Sequence, residues 1–181
     1  MKRFVLLVLL AACAPDLRDD YPFDGALTGD FLVNVPQTDG TTLSTIDATS
    51  KTGTIYVDLD SASVVTVADA WDLAFQRFKI SANSGSSGEG SVGVAVVKDQ
   101  DFNAFETPPA EGYLQDGSDT VFNGVEGGWY SYDLGQHKLV TRDDLFYVVR
   151  TEAGFFKLKM KSYYDEAGTA ARMQFWWARL E

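Results

Sequence analysis

An all-β fold is what this sequence predicts, and three observations carry that reading. Turn-forming clusters recur roughly every 8–15 residues from Leu27 onward, at Thr38-Asp39-Gly40, Ser84 to Gly90, Asp116-Gly117, Gly127-Gly128, Glu152-Ala153-Gly154 and Asp165 to Gly168. Between two of them, Phe156, Leu158 and Met160 alternate with Lys157, Lys159 and Lys161, the period-2 pattern of a strand with an apolar face and a charged one. Aromatic residues make up 13% of the chain and there is one cysteine, so no internal disulfide can form and the fold must rest on apolar burial.

The N-terminus reads as a targeting segment. Lys2 and Arg3 precede an apolar run from Phe4 to Leu10, far short of the roughly 20 residues a permanent membrane helix needs. Leu10-Ala11-Ala12-Cys13 then has the form of a lipobox. Residues 1–12 are therefore expected to be a lipoprotein signal peptide, with Cys13 carrying lipid after cleavage on its amino side. A lone thiol on an exported chain fits a lipid attachment point better than a disulfide. Ala14 after the cysteine favours the outer membrane of a bacterial envelope. Residues 13–26, with Pro15, Pro22 and several charges but no apolar period, read as a tether. Residues 27–181 are the β domain, a length suited to one core.

Net charge is −11 and the isoelectric point about 4.4, and losing Lys2 and Arg3 makes the mature chain more acidic still. Such a surface is a poor match for nucleic acid and for flat anionic membranes.

Within the domain, Val67 to Phe78 is ambiguous. Val67, Ala70, Trp71, Ala74, Phe75 and Phe78 would stripe a helix, and periodicity prefers that, whereas Trp71, Leu73 and Phe75 would stripe a strand. Ser91 to Lys98, valine-rich after a glycine-rich loop, predicts a strand. Leu145 to Arg150, Phe155 to Tyr163 and Arg172 to Leu180, separated by turns, predict an antiparallel meander. Segments 56–80 and 130–159 share an outline that would suit a duplicated β unit.

Several strings that could carry chemistry fail on context. Gly88-Glu89-Gly90-Ser91-Val92-Gly93 matches a dinucleotide fingerprint but runs into a strand, not the helix that would receive a pyrophosphate. Asp99-Gln100-Asp101-Phe102-Asn103 has calcium-like spacing, yet Ala104 and Ala110 stand where an EF-hand loop needs glycine and glutamate. His137 is the only histidine, and no nucleophile elbow or zinc-protease string occurs. The expectation is a protein that is not an enzyme.

Two longer stretches resemble a known family. Trp71-Asp72-Leu73-Ala74-Phe75-Gln76-Arg77-Phe78-Lys79-Ile80 followed by Asn83-Ser84-Gly85-Ser86-Ser87-Gly88-Glu89-Gly90 resembles the signature of the HmuY-like haem-binding lipoproteins. Gly127-Gly128-Trp129-Tyr130, Phe146 to Thr151, Gly154 to Leu158 and Met173 to Trp177 resemble the rest of that family in order, over roughly residues 50–180. The resemblance implies an antiparallel two-sheet β domain, with Trp71 to Ile80 a strand. It also implies haem held between two protein ligands for iron acquisition, and delivery to an outer-membrane haem transporter.

The chain departs from that pattern where the ligands should stand. Tyr113 to Glu126 contains neither His nor Met, and a bis-histidine site within one chain is impossible. The pairing open to haem iron is His137 with Met173, an imidazole and a thioether. The alternative is that His137 is a solvated turn residue and Met173 ordinary packing. Two functions follow, a haem-binding lipoprotein, or a surface-anchored interaction or structural domain with the same fold and no haem.

Overall fold

Alternation along the chain resolves into strands that all pair antiparallel. The computed structural model describes residues 31–181; the signal segment, Cys13, the tether and the expected start at Leu27 lie outside the described residues. In chain order the strands are β1 (Leu32–Pro36), β2 (Thr42–Asp47), β3 (Ile55–Asp58), β4 (Ser63–Val65), β5 (Leu73–Gln76), β6 (Lys79–Ala82) and β7 (Gly93–Lys98), then β8 (Tyr130–Asp133), β9 (Lys138–Thr141), β10 (Leu145–Arg150), β11 (Phe155–Tyr164) and β12 (Ala170–Leu180). A 3-10 turn at Val121–Asn123 is the one helical element among the described residues.

The strands form a large sheet, ordered β1-β2-β12-β11-β10-β7, a small sheet, ordered β4-β3-β5-β6, and the separate hairpin β8-β9. The expected meander is present as β10-β11-β12, and the valine-rich strand is β7, paired with β10. Segments 56–80 and 130–159 do not form equivalent units: the first builds the small sheet, while the second supplies a hairpin and two strands of the large one.

The main core lies between the facing sheets. Ile55, Val57, Leu73, Phe75, Ile80 and Ala82 of the small sheet meet Tyr147, Val149, Phe156, Leu158, Met173 and Phe175 of the large one. Phe75 and Phe175 stack with centroids 5.6 Å apart and planes at 8°, a geometry that adds to area burial.

Two local expectations are corrected. Trp71 to Ile80 is neither the helix that periodicity prefers nor one continuous strand. It is a hairpin with Gln76 opposite Lys79, so Arg77 and Phe78 form a two-residue turn. That turn needs a left-handed residue, and Arg77 takes it at φ +54° with its guanidinium donating to the Thr49 carbonyl at 2.9 Å. The second correction concerns the lysine face of β11. Phe156, Leu158 and Met160 face the core as expected, but Lys157 is also buried. The long connection between β7 and β8 folds over the outer face of the large sheet and builds a second core from Phe102, Phe146, Val148 and Leu180. The Lys157 ammonium donates to the carbonyls of Phe102, Asn103 and Phe105 at 2.8, 3.2 and 2.9 Å. Three hydrogen bonds offset the desolvation of its charge.

Candidate functional site: a cleft on the small sheet

Side chains alternate across a strand, so the residues of β3, β5 and β6 that do not enter the core share the opposite face. Tyr56, Ala74 and Ser81 stand in register on that face, with Gln76 and Lys79 beyond them. They floor a cleft of about 660 Å³, within the roughly 300–1,000 Å³ typical of small-molecule sites. One wall is the loop with Ser86 and Ser87, and the other is the segment from Gly117 to Asn123.

The Trp71–Gly90 stretch explains the first wall. Trp71 packs edge-on against Tyr56 with centroids 5.0 Å apart. Its carbonyl accepts from Asn83 Nδ2 at 2.8 Å, and Asn83 Oδ1 accepts from the Gly90 amide at 3.0 Å. Asn83 thus folds the glycine loop back onto Trp71. A Cβ on Gly88 would strike Asn83 Oδ1 and lie 2.9 Å from Trp71 Cζ2, so the approach requires glycine. Asp72 Oδ2 accepts from the Leu59 amide at 2.9 Å. Burial pushes the Asp72 carboxyl up to about 6, the amide bond opposes the shift, and Asp58, Asp60 and Glu152 add to it.

The second wall is strapped to the β5-β6 hairpin from a distance in sequence. Asp116, itself buried, accepts from the amides of Ala82 and Val121, both at 2.9 Å. Asn123 accepts from the Ile80 amide at 2.9 Å and donates to the Phe78 carbonyl at 3.0 Å. Trp129 of the Gly-Gly-Trp element, fully buried, donates its indole N–H to the same carbonyl at 3.0 Å. These bonds fix Phe78, which is 46% exposed, edge-on to Tyr130 with centroids 5.9 Å apart. The cleft is therefore bordered by Phe78 and Tyr130 at one end and by Tyr56 and Trp71 at the other, with hydroxyl and amide groups between. Among the described residues, its charged lining residues are Lys79 and Asp119.

The residues singled out by sequence stand elsewhere. His137 is exposed in the turn of the β8-β9 hairpin at φ +53°, with Nδ1 3.2 Å from the Tyr132 hydroxyl. Met173 lies on β12 opposite Ile46, with no exposed surface, in the core between the sheets. Neither lines the cleft, and the structure does not bring the two together. Sequence reasoning missed Asp116 and Asn123, whose partners are 34 and 43 residues away. Asp116-Gly117 read only as a turn, and a buried carboxylate that clamps backbone amides leaves no local signature.

Comparison with known proteins agrees with this architecture. Residues 50–177 match the HmuY protein family. No curated protein matches the sequence. Among solved structures, the apo HmuY analogue of Tannerella forsythia superposes with a TM-score of 0.58 at 16% identity, covering 81% of this chain and 95% of that one. A protein from Bacteroides vulgatus ATCC 8482 named for HmuY-like heme binding gives 0.57 at 14% identity, covering 82% and 97%. One from Bacteroides fragilis NCTC 9343 named as a lipoprotein gives 0.58 at 18%, covering 82% and 95%. At these identities the likeness establishes the two-sheet fold, and the family match, over most of the chain and spanning both walls of the cleft, establishes that this chain belongs to the HmuY family.

Proposed function

We propose that this HmuY-family protein is a lipid-anchored component of the bacterial envelope that captures haem or a related porphyrin in the cleft on its small sheet and passes it to an outer-membrane haem transporter. The observation that carries the reading is the aromatic border of an open cleft, with Phe78 nearly half exposed beside Tyr130. An exposed aromatic ring such as Phe78, with the partly exposed Tyr56 and Tyr130 in the same cleft, suits a planar conjugated macrocycle, which gains by leaving water and by edge or face contact with aromatic rings. The hairpin extends the same wall. Tyr130 and Tyr132 lie two residues apart on β8 and share a face, and His137 meets the Tyr132 hydroxyl. On this reading His137, the only histidine in the chain, would approach the iron from the hairpin side.

The residues fit the porphyrin ring better than its metal. Among the described residues no His, Met or Cys lines the cleft, and the Met173 sulfur belongs to the core. The reading accordingly rests on the ring contacts, with His137 as an outer ligand.

A haemin titration of the mature chain bearing Cys13→Ser tests it. A saturable, sharpened Soret band is expected, weakened about 5- to 20-fold in apparent affinity by Phe78→Ala, with its position shifted by His137→Ala. Broad, non-saturating spectra identical to free haemin would overturn the proposal and leave a β-rich interaction domain.

A further inference from the structure

We infer that the cleft holds its ligand by the tetrapyrrole ring and its carboxylates rather than by the iron, so that iron-free protoporphyrin binds about as well as haem. This rests on the porphyrin reading above and adds a statement about what that site recognises. Four observations carry it.

The first is the donor inventory of the cleft. Iron in a porphyrin is held by imidazole, thiolate, thioether or phenolate, and among the described residues only the phenols of Tyr56 and Tyr130 bring one of these to the cleft. Both rings are already fixed edge-on, Tyr56 against Trp71 and Tyr130 against Phe78 and Trp129. The second is the position of the sulfur. Met173 has no exposed surface, and turning its thioether outward would leave a cavity in the core between the sheets. The third is His137, which sits in an exposed turn with its ring engaged by Tyr132. Ordering an exposed side chain opposes the gain from one ligand bond, so His137 marks the iron's spectrum more than it sets the affinity.

The fourth is the charge pattern. In a chain of net charge −11, a dianionic ligand meets a repelling field, yet the lining of the cleft includes the exposed Lys79 together with Ser81, Ser87 and Ser118. An ammonium and hydroxyl donors lining one cleft suit a carboxylate, for which charge-assisted bonds exceed neutral ones. Asp119 is the other charged residue in that lining; its carboxylate repels an anion, which leaves Lys79 to receive one. Ring faces and carboxylates are common to haem and protoporphyrin, whereas the missing donors concern iron alone.

The test titrates the mature chain bearing Cys13→Ser with haemin by Soret absorbance and with protoporphyrin IX by fluorescence, and reads the ratio of the two dissociation constants. The expected ratio is within about threefold of unity. Phe78→Ala and Lys79→Glu weaken both ligands by similar factors, on the order of tenfold, leaving the ratio unchanged. Tyr130→Phe, which keeps the ring and removes the phenol oxygen, also leaves the ratio unchanged, as does His137→Ala. Haemin binding more than about 30-fold tighter than protoporphyrin, with that preference lost in Tyr130→Phe or His137→Ala, would overturn the inference while sparing the porphyrin reading. Failure of both ligands to saturate the protein would overturn the porphyrin reading itself. Should Phe78→Ala fail to fold, Lys79→Glu on the exposed rim decides the carboxylate part alone.

Discussion

Asp72 holds a carboxylate where the fold would be more stable with a neutral acceptor. Its Oδ2 satisfies the Leu59 amide, but burial and the neighbouring Asp58, Asp60 and Glu152 raise the carboxyl from 3.8 in the unfolded chain to about 6. Between those values the folded state binds more protons than the unfolded one, so this group's contribution to stability falls as pH rises through that window. Above about pH 6 the full cost is present, and below about pH 4 it is absent. Because the group is partly open to water, the cost is about 1–2 kcal/mol after allowing for screening. Asp72→Asn keeps an acceptor for Leu59 and removes the charge. It is expected to raise stability at pH 7 by about 1 kcal/mol and to flatten the change in urea midpoint between about pH 4.5 and pH 7. An unaltered slope in the variant would assign the pH response to other groups. Asp39, Asp69, Asp144 and Asp165 act in the opposite sense: hydrogen bonds to Thr41, Thr66, Arg142 and Thr169 hold them below the usual carboxylate range. Their stabilisation is present above their unfolded pKa and is lost only as pH falls through the lowered folded values, below the Asp72 window.

At the scale of elements, the glycine loop before β7 is a wall built on one hydrogen-bonded asparagine. Gly88→Ala would drive a methyl group into Asn83 Oδ1 and toward Trp71, displacing the side chain that bonds both Trp71 O and Gly90 N. The expected loss is about 1–3 kcal/mol in urea unfolding, with a rise in porphyrin dissociation constant because Ser87 moves with the loop. Unchanged values for both would mean the loop accommodates a Cβ and is not a rigid wall. The same elements explain what was legible in the sequence. β10, β11 and β12 could be read because Phe156, Leu158 and Met160 alternate cleanly and glycine-bearing turns bound them. The β5-β6 hairpin could not, since Trp71, Ala74, Phe75 and Phe78 fall at helical spacing by coincidence and Arg77, without glycine or asparagine, occupies the turn. Lys157 read as solvated because nothing local reveals that residues 99–114 will cover that face. The aromatic residues of the cleft stand inside motifs visible in the sequence, whereas the clamps Asp116 and Asn123 act through contacts that only the fold creates.

At the scale of the whole molecule, the proposed lipid anchor would couple an acidic domain to a membrane that its charge disfavours. Net charge is −11 before processing, and the signal segment would take Lys2 and Arg3 with it. Anionic leaflets therefore repel the mature chain, and among the described residues no helix is long and apolar enough to cross a bilayer. Attachment through a diacylated and N-acylated Cys13, as proposed, would supply what the protein surface does not, since two or more acyl chains anchor stably where one is marginal. Cys13→Ser is therefore expected to move the protein from the membrane pellet to the soluble fraction. The wild-type protein should resist about 1 M salt, which screens charge-mediated attachment, and yield only to detergent. Because residue 13 lies far in sequence from the first cleft residue, Thr54, the released protein should titrate with haemin as the detergent-extracted one does. Retention of Cys13→Ser in the salt-washed pellet would reject lipid anchoring at this residue and place the attachment on the domain surface instead, a site the acidic charge makes unfavourable for lipid headgroups and therefore one that would have to be a protein partner.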